Sequence, residues 1–454
     1  MSSTLDLLIK GGLVVTPAGV SRADVGVAHG RIARIAETLA DPAVEVVDAT
    51  GLHVFPGILD AHVHFNEPGR THWEGLASGS RSLAAGGGTW FADMPLNSLP
   101  PVLDAAAFAE KRHLAGQKAV TDFSLWGGLV PGNLDKLGEL RDAGAIGLKA
   151  FMCGSGVDEF PGVTDAGTLR AGMKKAAELG MLVAVHAEDE AMAARLTAVQ
   201  RARGATDVRS WLATRPVEVE LSAIRQATEI AGETGCALHV VHVSSPEGIA
   251  LIADARARGV NVSAETCPHY LLLNEEDVVR TGATAKCFPL LRPEPARLDL
   301  WTRLDAGAID TIGSDHSPAP PDMKVSSDFF AIWGGISGCQ HGFPLLLSEA
   351  AARGADEWPR FAALLAGNVA TRFRLPHKGH LAIGFDADIT LLEVGPAHTL
   401  RNAELLYRYK QGPYDGRDCR VRVAQTFVRG HRVWGKAGIA PGAPRGQFLR
   451  PTTL

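Results

Sequence analysis

Apolar, strand-like runs alternate with amphipathic helical stretches through the middle of this chain, between about residues 52 and 375. We count eight such runs, which are HVFPGILDAHVHF, GTWFADMPL, DFSLWGGLV, AIGLKAFMC, MLVAVHAED, ALHVVHVSS, VNVSAETCPHY and IDTIGSDHSP. Intervening segments such as DAGTLRAGMKKAAELG and PEGIALIADARARG are typical of helices, and Pro246 suits the first turn of the second one. Eight repeated βα units predict an α/β fold whose parallel sheet closes into a (β/α)8 TIM-like barrel.

Both ends of the chain have a different texture, with short β-branched runs separated by Gly, Pro and Asp. Neither end holds enough strands to bury a face alone, so we expect the two ends to pair into one small β-sandwich domain. The predicted boundaries are 1–54 and 377–454 for the β-sandwich domain and 55–376 for the barrel.

Composition excludes several classes of protein. The 454 residues are 46% hydrophobic and 21% charged with a net charge of -5, which is typical of a globular chain and makes nucleic acid and anionic membrane poor partners. The amino terminus lacks a secretory signal pattern and no long apolar run occurs, so we expect a cytoplasmic protein with no membrane partner. The six cysteines form no C-x-x-C pair, which argues against disulfides and a thiolate metal site.

Potential metal ligands fall near the carboxyl ends of five predicted barrel strands, where active sites of such barrels lie. A lone histidine on an apolar strand is usually a packed core residue, but a shared register at one end of the barrel indicates a joint site. His239 is expected to face the outer helices and Glu188 to be a surface or supporting carboxylate, so neither is included. The predicted metal ligands are His62, His64, Lys149, His186, His242 and Asp315.

Lys149 is the unusual member of this set. Burial beside metal charge would favour loss of its proton, and a neutral amine can add carbon dioxide to give a carbamate, an anion that can bridge two cations. His62 and His64 are two residues apart and therefore share one face of a strand, which suits two imidazoles on one cation. Asp315 is predicted to be catalytic, taking the proton of the attacking water and passing it to the departing nitrogen. These roles predict a hydrolase.

The ligand pattern resembles the amidohydrolase superfamily, specifically its cyclic amidase branch of dihydroorotases, hydantoinases and allantoinases. The resemblance runs from GGLVV near the start to KGHLAIGFDADITLLE near the end. It implies two divalent metal ions held by the six residues above, with Lys149 modified to N6-carboxylysine by carbon dioxide. Zinc is the expected metal, with iron, cobalt or manganese as alternatives. The resemblance also implies a homotetramer acting on a small-molecule substrate.

Within this branch, the sequence favours a neutral substrate. Dihydroorotases have H-x-H-x-R, whose Arg clamps a substrate carboxylate, whereas Asn66 occupies that position here. Hydantoinases usually have a Tyr shortly after the modified lysine, and KAFMCGSG has none. The segments HFNEPGRTHWEG, DMPLNSLPP, IDTIGSDHSPAPPDMK and FFAIWGGISGCQ resemble allantoinases, which implies hydrolysis of allantoin to allantoate in purine degradation. A hydantoinase or dihydropyrimidinase is the alternative, and a non-catalytic scaffold of the same fold is the remote one.

Five residues are expected to contact the substrate. Asn97 is placed to read an imide edge, and Ser155 lies where the hydantoinase tyrosine would reach. The segment KCFPLLR departs from its relatives, but its loop is expected to offer backbone contacts. The IWGGISGCQ segment is expected to approach the substrate closely through its glycines. The predicted substrate-binding residues are Asn66, Asn97, Ser155, Cys287 and Gly338.

Overall fold

The strands lie in three stretches of the chain. The structure, a computed structural model, describes residues 4–442 and 445–452. The first stretch holds β1 (Leu5–Thr16), β2 (Gly19–Ala28), β3 (Arg31–Ala36), β4 (Ala43–Asp48) and β5 (Leu52–Pro56). The middle stretch holds β6 (Ile58–Val63), β7 (Gly88–Asp93), β8 (Asp122–Leu125), β9 (Gly127–Gly128), β10 (Leu148–Phe151), β11 (Val183–His186), β12 (Leu238–Val240), β13 (Val262–Thr266) and β14 (Thr311–Ile312). The last stretch holds β15 (Ile389–Thr399), β16 (Asp418–Val428), β17 (His431–Gly435) and β18 (Gly438–Ile439).

Most α-helices lie between the middle strands. They are α1 (Leu76–Ala85), α2 (Ala105–Lys118), α3 (Leu137–Ala143), α4 (Ala166–Glu178), α5 (Glu190–Ala202), α6 (Val208–Leu212), α7 (Val217–Thr234), α8 (Pro246–Ala257), α9 (Pro268–Leu272), α10 (Glu275–Thr281), α11 (Glu294–Asp305), α12 (Gly342–Arg353), α13 (Glu357–Ala362) and α14 (Asn368–Arg372). The two helices predicted from their sequences are confirmed as α4 and α8. Each begins after a residue whose side chain accepts a backbone N–H of the first turn, Asp165 for α4 and Ser245 for α8.

The middle strands form the parallel barrel. Strands β6 to β8 pair in chain order, as do β9 to β14, and nearly all of their residues are buried, as expected for strands covered on both faces. The segment after β14 returns to β6, because Val63 forms a parallel bridge with His316 and the His64 N–H donates to the His316 carbonyl at 2.8 Å. The predicted barrel is therefore confirmed, and its carboxyl-terminal face gathers the loops after β6, β10, β12 and β14.

One predicted strand is interrupted. The run DFSLWGGLV holds both β8 and β9, with Trp126 between them. The Trp126 indole Nε1 donates to the Ala61 carbonyl of β6 at 2.9 Å, inside the barrel wall. A large side chain with a polar atom to satisfy thus divides an apolar run that reads as continuous in the sequence.

Strands from both chain ends form one nine-stranded sheet beside the barrel. Its order is β18-β17-β16-β15-β5-β1-β2-β3, with β4 paired to β1. The two ends meet where β5 pairs antiparallel with β15. The segment from 446 to 452 lies elsewhere, against the barrel, where Phe123 of β8 exchanges backbone hydrogen bonds with Gln447 and Leu449. The division into 1–54 with 377–454 and 55–376 stays a prediction.

A buried ion cluster joins the barrel to this sheet. The Lys378 Nζ donates to Asp122 Oδ2 of β8 at 2.8 Å and to Asp388 Oδ2, next to β15, at 2.7 Å, and it lies 2.9 Å from Asp386 Oδ2. Although burial opposes the charged form, the carboxylates hold the pKa of Lys378 above its usual range. Removing one member would strand uncompensated charge, so this cluster fixes the contact between the two parts.

The cysteines form no disulfide in the described part of the chain. All six cysteines lie among the described residues, and each is buried and free of a disulfide. Across residues 4–442 and 445–452, we find no helix with the length and apolarity needed to cross a bilayer.

Candidate active site

The six predicted metal ligands meet at the carboxyl-terminal face of the barrel. Each lies on a barrel strand or within three residues of its end, and each is at least 92% buried. They line one cavity together with aromatic and small residues. The described lining residues are His62, His64, Leu96, Asn97, Lys149, Phe151, Ser155, His186, His242, Phe288, Asp315, Ser317, Trp333, Gly334 and Gly335.

One group of ligand atoms is centred on Asp315. Its Oδ1 lies 3.3 Å from His62 Nε2 and 3.5 Å from His64 Nε2. Burial raises the pKa of the Asp315 carboxyl, but the two imidazoles outweigh burial and hold this pKa below its usual range. Two imidazole nitrogens and a carboxylate oxygen converging at this spacing form a donor set suited to a divalent cation.

A second group contains His186 and His242. The His186 Nδ1 lies 3.0 Å from His242 Nε2, and the ring centroids of His62 and His242 are 5.3 Å apart, so the two groups are neighbours. Burial and the nearby His186 hold the pKa of His242 well below its usual range. A neutral imidazole keeps a lone pair for coordination, so this pair is also suited to a cation.

Lys149 lies beside both groups and has no partner. Its side chain is fully buried, its Nζ has no hydrogen bond to any described residue, and it lies 5.0 Å from the centre of the Phe151 ring. Burial lowers the pKa of Lys149 to about 8, against the attraction of Asp315 and Glu265. An unpaired ammonium in this position is costly, whereas an anionic derivative beside bound cations would be stabilised. The residues present therefore fit a two-metal site with a modified lysine.

In three of the histidines, a carboxylate or a carbonyl oxygen contacts the ring nitrogen that faces away from the predicted metal position. Glu188 Oε2 lies 2.7 Å from His186 Nε2, Glu265 Oε1 lies 2.8 Å from His62 Nδ1, and the Leu96 carbonyl lies 3.0 Å from His64 Nδ1. Such partners set the ring orientation of metal-binding histidines.

Sequence reasoning missed Glu265. The sequence could have indicated its role. A carboxylate within β13, whose other residues are apolar or small, needs a buried partner. His239, left outside the ligand set, joins this network instead, with its Nε2 3.4 Å from Glu265 Oε2.

Two of the predicted substrate-binding residues line the cavity, and one supports them. Asn97 and Ser155 are lining residues. The Ser155 hydroxyl is committed to its own loop, since it donates to the Phe160 carbonyl at 2.6 Å. Asn66 is not a lining residue; its amide nitrogen donates to the Pro318 carbonyl and its oxygen accepts from Asn97.

Cys287 and Gly338 do not line the cavity either. The Cys287 thiol is buried and donates to the Pro289 carbonyl at 3.3 Å. The Gly338 N–H donates to His316 Nδ1 at 3.1 Å. From the same two loops, it is Phe288, Trp333, Gly334 and Gly335 that reach the cavity. Direct substrate contact by Asn66, Cys287 and Gly338 stays a prediction.

Backbone strain marks the site. Asn66, His242 and Asp315 adopt positive φ angles of 63°, 40° and 44°. Non-glycine residues avoid this region unless the surrounding structure holds them there, and such residues concentrate at functional sites. At His242 and Asp315, this conformation lets the chain leave a strand sharply while the side chain stays aimed at the cavity.

Comparison with known proteins gives a consistent family. Residues 53–433 match the model of the amidohydrolase family. The chain is 51% identical to an allantoinase of Deinococcus radiodurans over 99% of this chain and 100% of that one, and 48% identical to an allantoinase of Rubrobacter xylanophilus over 99% and 98%. Its structure is similar to the L-hydantoinase (dihydropyrimidinase) of Arthrobacter aurescens, with a TM-score of 0.95, 33% identity and coverage of 98% and 100%. This chain therefore belongs to the amidohydrolase family and is a cyclic amidohydrolase of its allantoinase group.

Proposed function

We propose that this enzyme hydrolyses the ring amide of allantoin to give allantoate, a step of purine degradation. The carrying observation is that all six predicted ligands line one cavity, whose described lining residues include no arginine. A substrate carboxylate would need such a cation, whereas the neutral allantoin ring does not. The full-length similarity to allantoinases supports the same substrate.

The metal site of the proposal uses all six residues. His62, His64 and Asp315 would hold one divalent ion, and His186 and His242 a second, with Lys149 as a carbamate between them. Zinc is the expected metal, and iron, cobalt or manganese would suit the same donors. When bound, such ions polarise a carbonyl and lower the pKa of water.

Asp315 would move the proton. Its Oδ1 faces the two histidines, which leaves Oδ2 to take a proton from the attacking water. The same carboxyl can then pass this proton to the ring nitrogen as the amide bond breaks. Burial of the surrounding side chains excludes bulk water from this transfer.

The rest of the proposal concerns assembly and location. We propose a homotetramer, on the family resemblance stated above, and a cytoplasmic location, as predicted from the sequence. Light scattering of the purified protein tests the first expectation, and cell fractionation tests the second.

A hydantoinase or dihydropyrimidinase activity is the second candidate. The close structural similarity to the Arthrobacter aurescens L-hydantoinase favours it. Allantoin, hydantoin and dihydrouracil should be assayed side by side with metal content measured on the same preparation. Faster turnover of allantoin, with allantoate as the product, supports our proposal, and equal or faster turnover of hydantoin rejects it.

A further inference from the structure

Trp333 lines the cavity, and its indole carries a hydrogen-bond donor with no partner among the described residues. The residue lies in the segment from 329 to 335, after β14, and it lines the cavity together with Gly334 and Gly335. The indole Nε1 is buried and has no hydrogen-bond partner among the described residues. Since this nitrogen is donor-only and buried donors are nearly always paired, a ligand acceptor at this place would complete the structure.

Two buried lysines hold the backbone of this segment. The Lys324 Nζ donates to the carbonyls of Trp333 at 3.0 Å and Gly335 at 2.7 Å. The Lys286 Nζ donates to the carbonyls of Phe329 at 2.7 Å and Ile332 at 2.5 Å. Each side-chain nitrogen therefore bonds at least two carbonyls of this segment, which gives the chain a fixed path.

Close packing fixes the segment from the other side. A Cβ on Gly334 would lie 2.6 Å from Cε2 of Phe288, and one on Gly335 would lie 2.2 Å from the Ser317 carbonyl oxygen. Gly335 also has a φ of 137°, which side chains avoid. The two glycines thus let the backbone approach the wall closely, and the indole that precedes them is carried to a defined position.

Trp333 lies at the outer part of the cavity. It is half-buried, unlike the fully buried metal ligands, and its ring packs edge-on against Trp73 with centroids 5.1 Å apart. The loop after β10 also reaches it, because a Cβ on Gly156 would lie 3.2 Å from the indole Cη2. A substrate whose ring amide faces the histidines would extend its substituent toward this indole.

We infer that Trp333 is a specificity-determining residue whose Nε1 donates a hydrogen bond to a carbonyl on the substituent of the cyclic substrate. For allantoin this is the ureido carbonyl, so the inference rests on the proposed function and deepens it. The donor is rigid and already desolvated, and a substituent without an acceptor would leave it unpaired. The enzyme should therefore discriminate against such a substituent.

The test compares Trp333→Phe with Trp434→Phe. The first change removes the indole N–H and keeps an aromatic ring, whereas the second removes the indole N–H of a half-buried residue on β17, which does not line the cavity. Steady-state kinetics are measured on allantoin. The second ligand is 5-isobutylhydantoin, whose substituent has no hydrogen-bond acceptor, and its affinity is measured through its turnover or its inhibition constant. We expect KM for allantoin to rise about tenfold in Trp333→Phe, with kcat changed less than about twofold and affinity for 5-isobutylhydantoin unchanged. Trp434→Phe should behave like the unchanged enzyme.

The outcomes separate the two claims. If the unchanged enzyme does not hydrolyse allantoin, the proposed function fails. If it does, but Trp333→Phe keeps its KM or loses both ligands equally, the role of Trp333 is rejected. Should Trp333→Phe not fold, as judged by thermal unfolding, the unchanged enzyme is tested with the thioureido analogue of allantoin. Weaker binding of this poorer acceptor supports the inference, and equal binding overturns it.

Discussion

Oε1 of Glu265 lies 2.8 Å from Nδ1 of His62, at a depth where both side chains are 1% exposed. Burial raises the pKa of Glu265, but hydrogen bonds from His239 and His62 outweigh burial and lower it to about 2. An ionised carboxylate at this place keeps the proton of His62 on Nδ1 and leaves Nε2 free to face Asp315.

Glu265→Gln should weaken metal binding. The amide is nearly the same size but carries no charge to fix the tautomer and orientation of His62, so we expect metal affinity to fall about 10- to 100-fold. Titration with a chelator, followed by metal analysis, measures this change. Glu218→Gln, at an exposed position of α7, is the matched control. An unaltered affinity in Glu265→Gln would mean that the carboxylate only fills space.

Lys149→Ala should abolish metal binding and activity together. The change removes the lysine that we propose to carry the carbamate between the two groups of histidines. Short carboxylic acids such as acetate or propionate should restore part of both, because they supply an anion of similar shape to the vacated space. Metal content and allantoin turnover are measured with and without the acid. Lys136→Ala, at an exposed position, is the control, and a Lys149→Ala enzyme that keeps its metal without any acid would contradict the carbamate proposal.

Asp315→Asn should separate metal binding from turnover. The amide oxygen can still face His62 and His64, but the side chain can no longer take and return a proton. We expect much of the metal to remain and turnover to fall about 10²-fold or more. Metal analysis and initial rates on one preparation check both parts. Full activity in Asp315→Asn would exclude the proton-transfer role.

His341 should make the protein less stable in mild acid. Its side chain lies in a buried position before α12, and burial lowers its pKa from 6.5 to about 4. As the pH falls from about 6.5 to about 4, His341 binds a proton in the unfolded chain but not in the folded protein. The free energy of unfolding should therefore decrease by up to about 1.4 kcal/mol per pH unit in this window.

Denaturant unfolding of the unchanged protein and His341→Leu between pH 4 and pH 7 measures this effect. Leucine takes up no proton, so the unfolding free energy of the unchanged protein should fall relative to that of the variant as the pH decreases. Subtracting the two unfolding free energies cancels the contributions of groups that titrate in both proteins. His113→Leu, at an exposed position of α2, is the control. Parallel pH profiles for the unchanged protein and His341→Leu would refute the prediction.

The barrel and the meeting of the six predicted ligands at one face could be predicted from local sequence patterns. The strands that carry His62 and His186 are mostly apolar, and parallel strands bring their carboxyl ends to one face regardless of loop details. The positions of His64 and Asp315 follow from the same register. Nothing beyond strand direction was needed to collect these side chains.

Loop residues could not be predicted in the same way. Cys287 and Phe288 are neighbours in the sequence, yet only Phe288 reaches the cavity. Which of the two residues reaches the cavity depends on the course of the segment around Trp333. The buried amino groups of Lys286 and Lys324 hold this segment in place. Such contacts join residues far apart in the chain, and no local periodicity records them.

The pairing of β5 with β15 has a consequence for synthesis on the ribosome. The strand made early in translation exposes one backbone edge until the last part of the chain emerges, because its neighbour in the sheet is β15. During that interval the nascent chain carries an open edge that can recruit another molecule. Slow completion of this sheet and a dependence of yield on growth temperature and chaperones follow from that order of events.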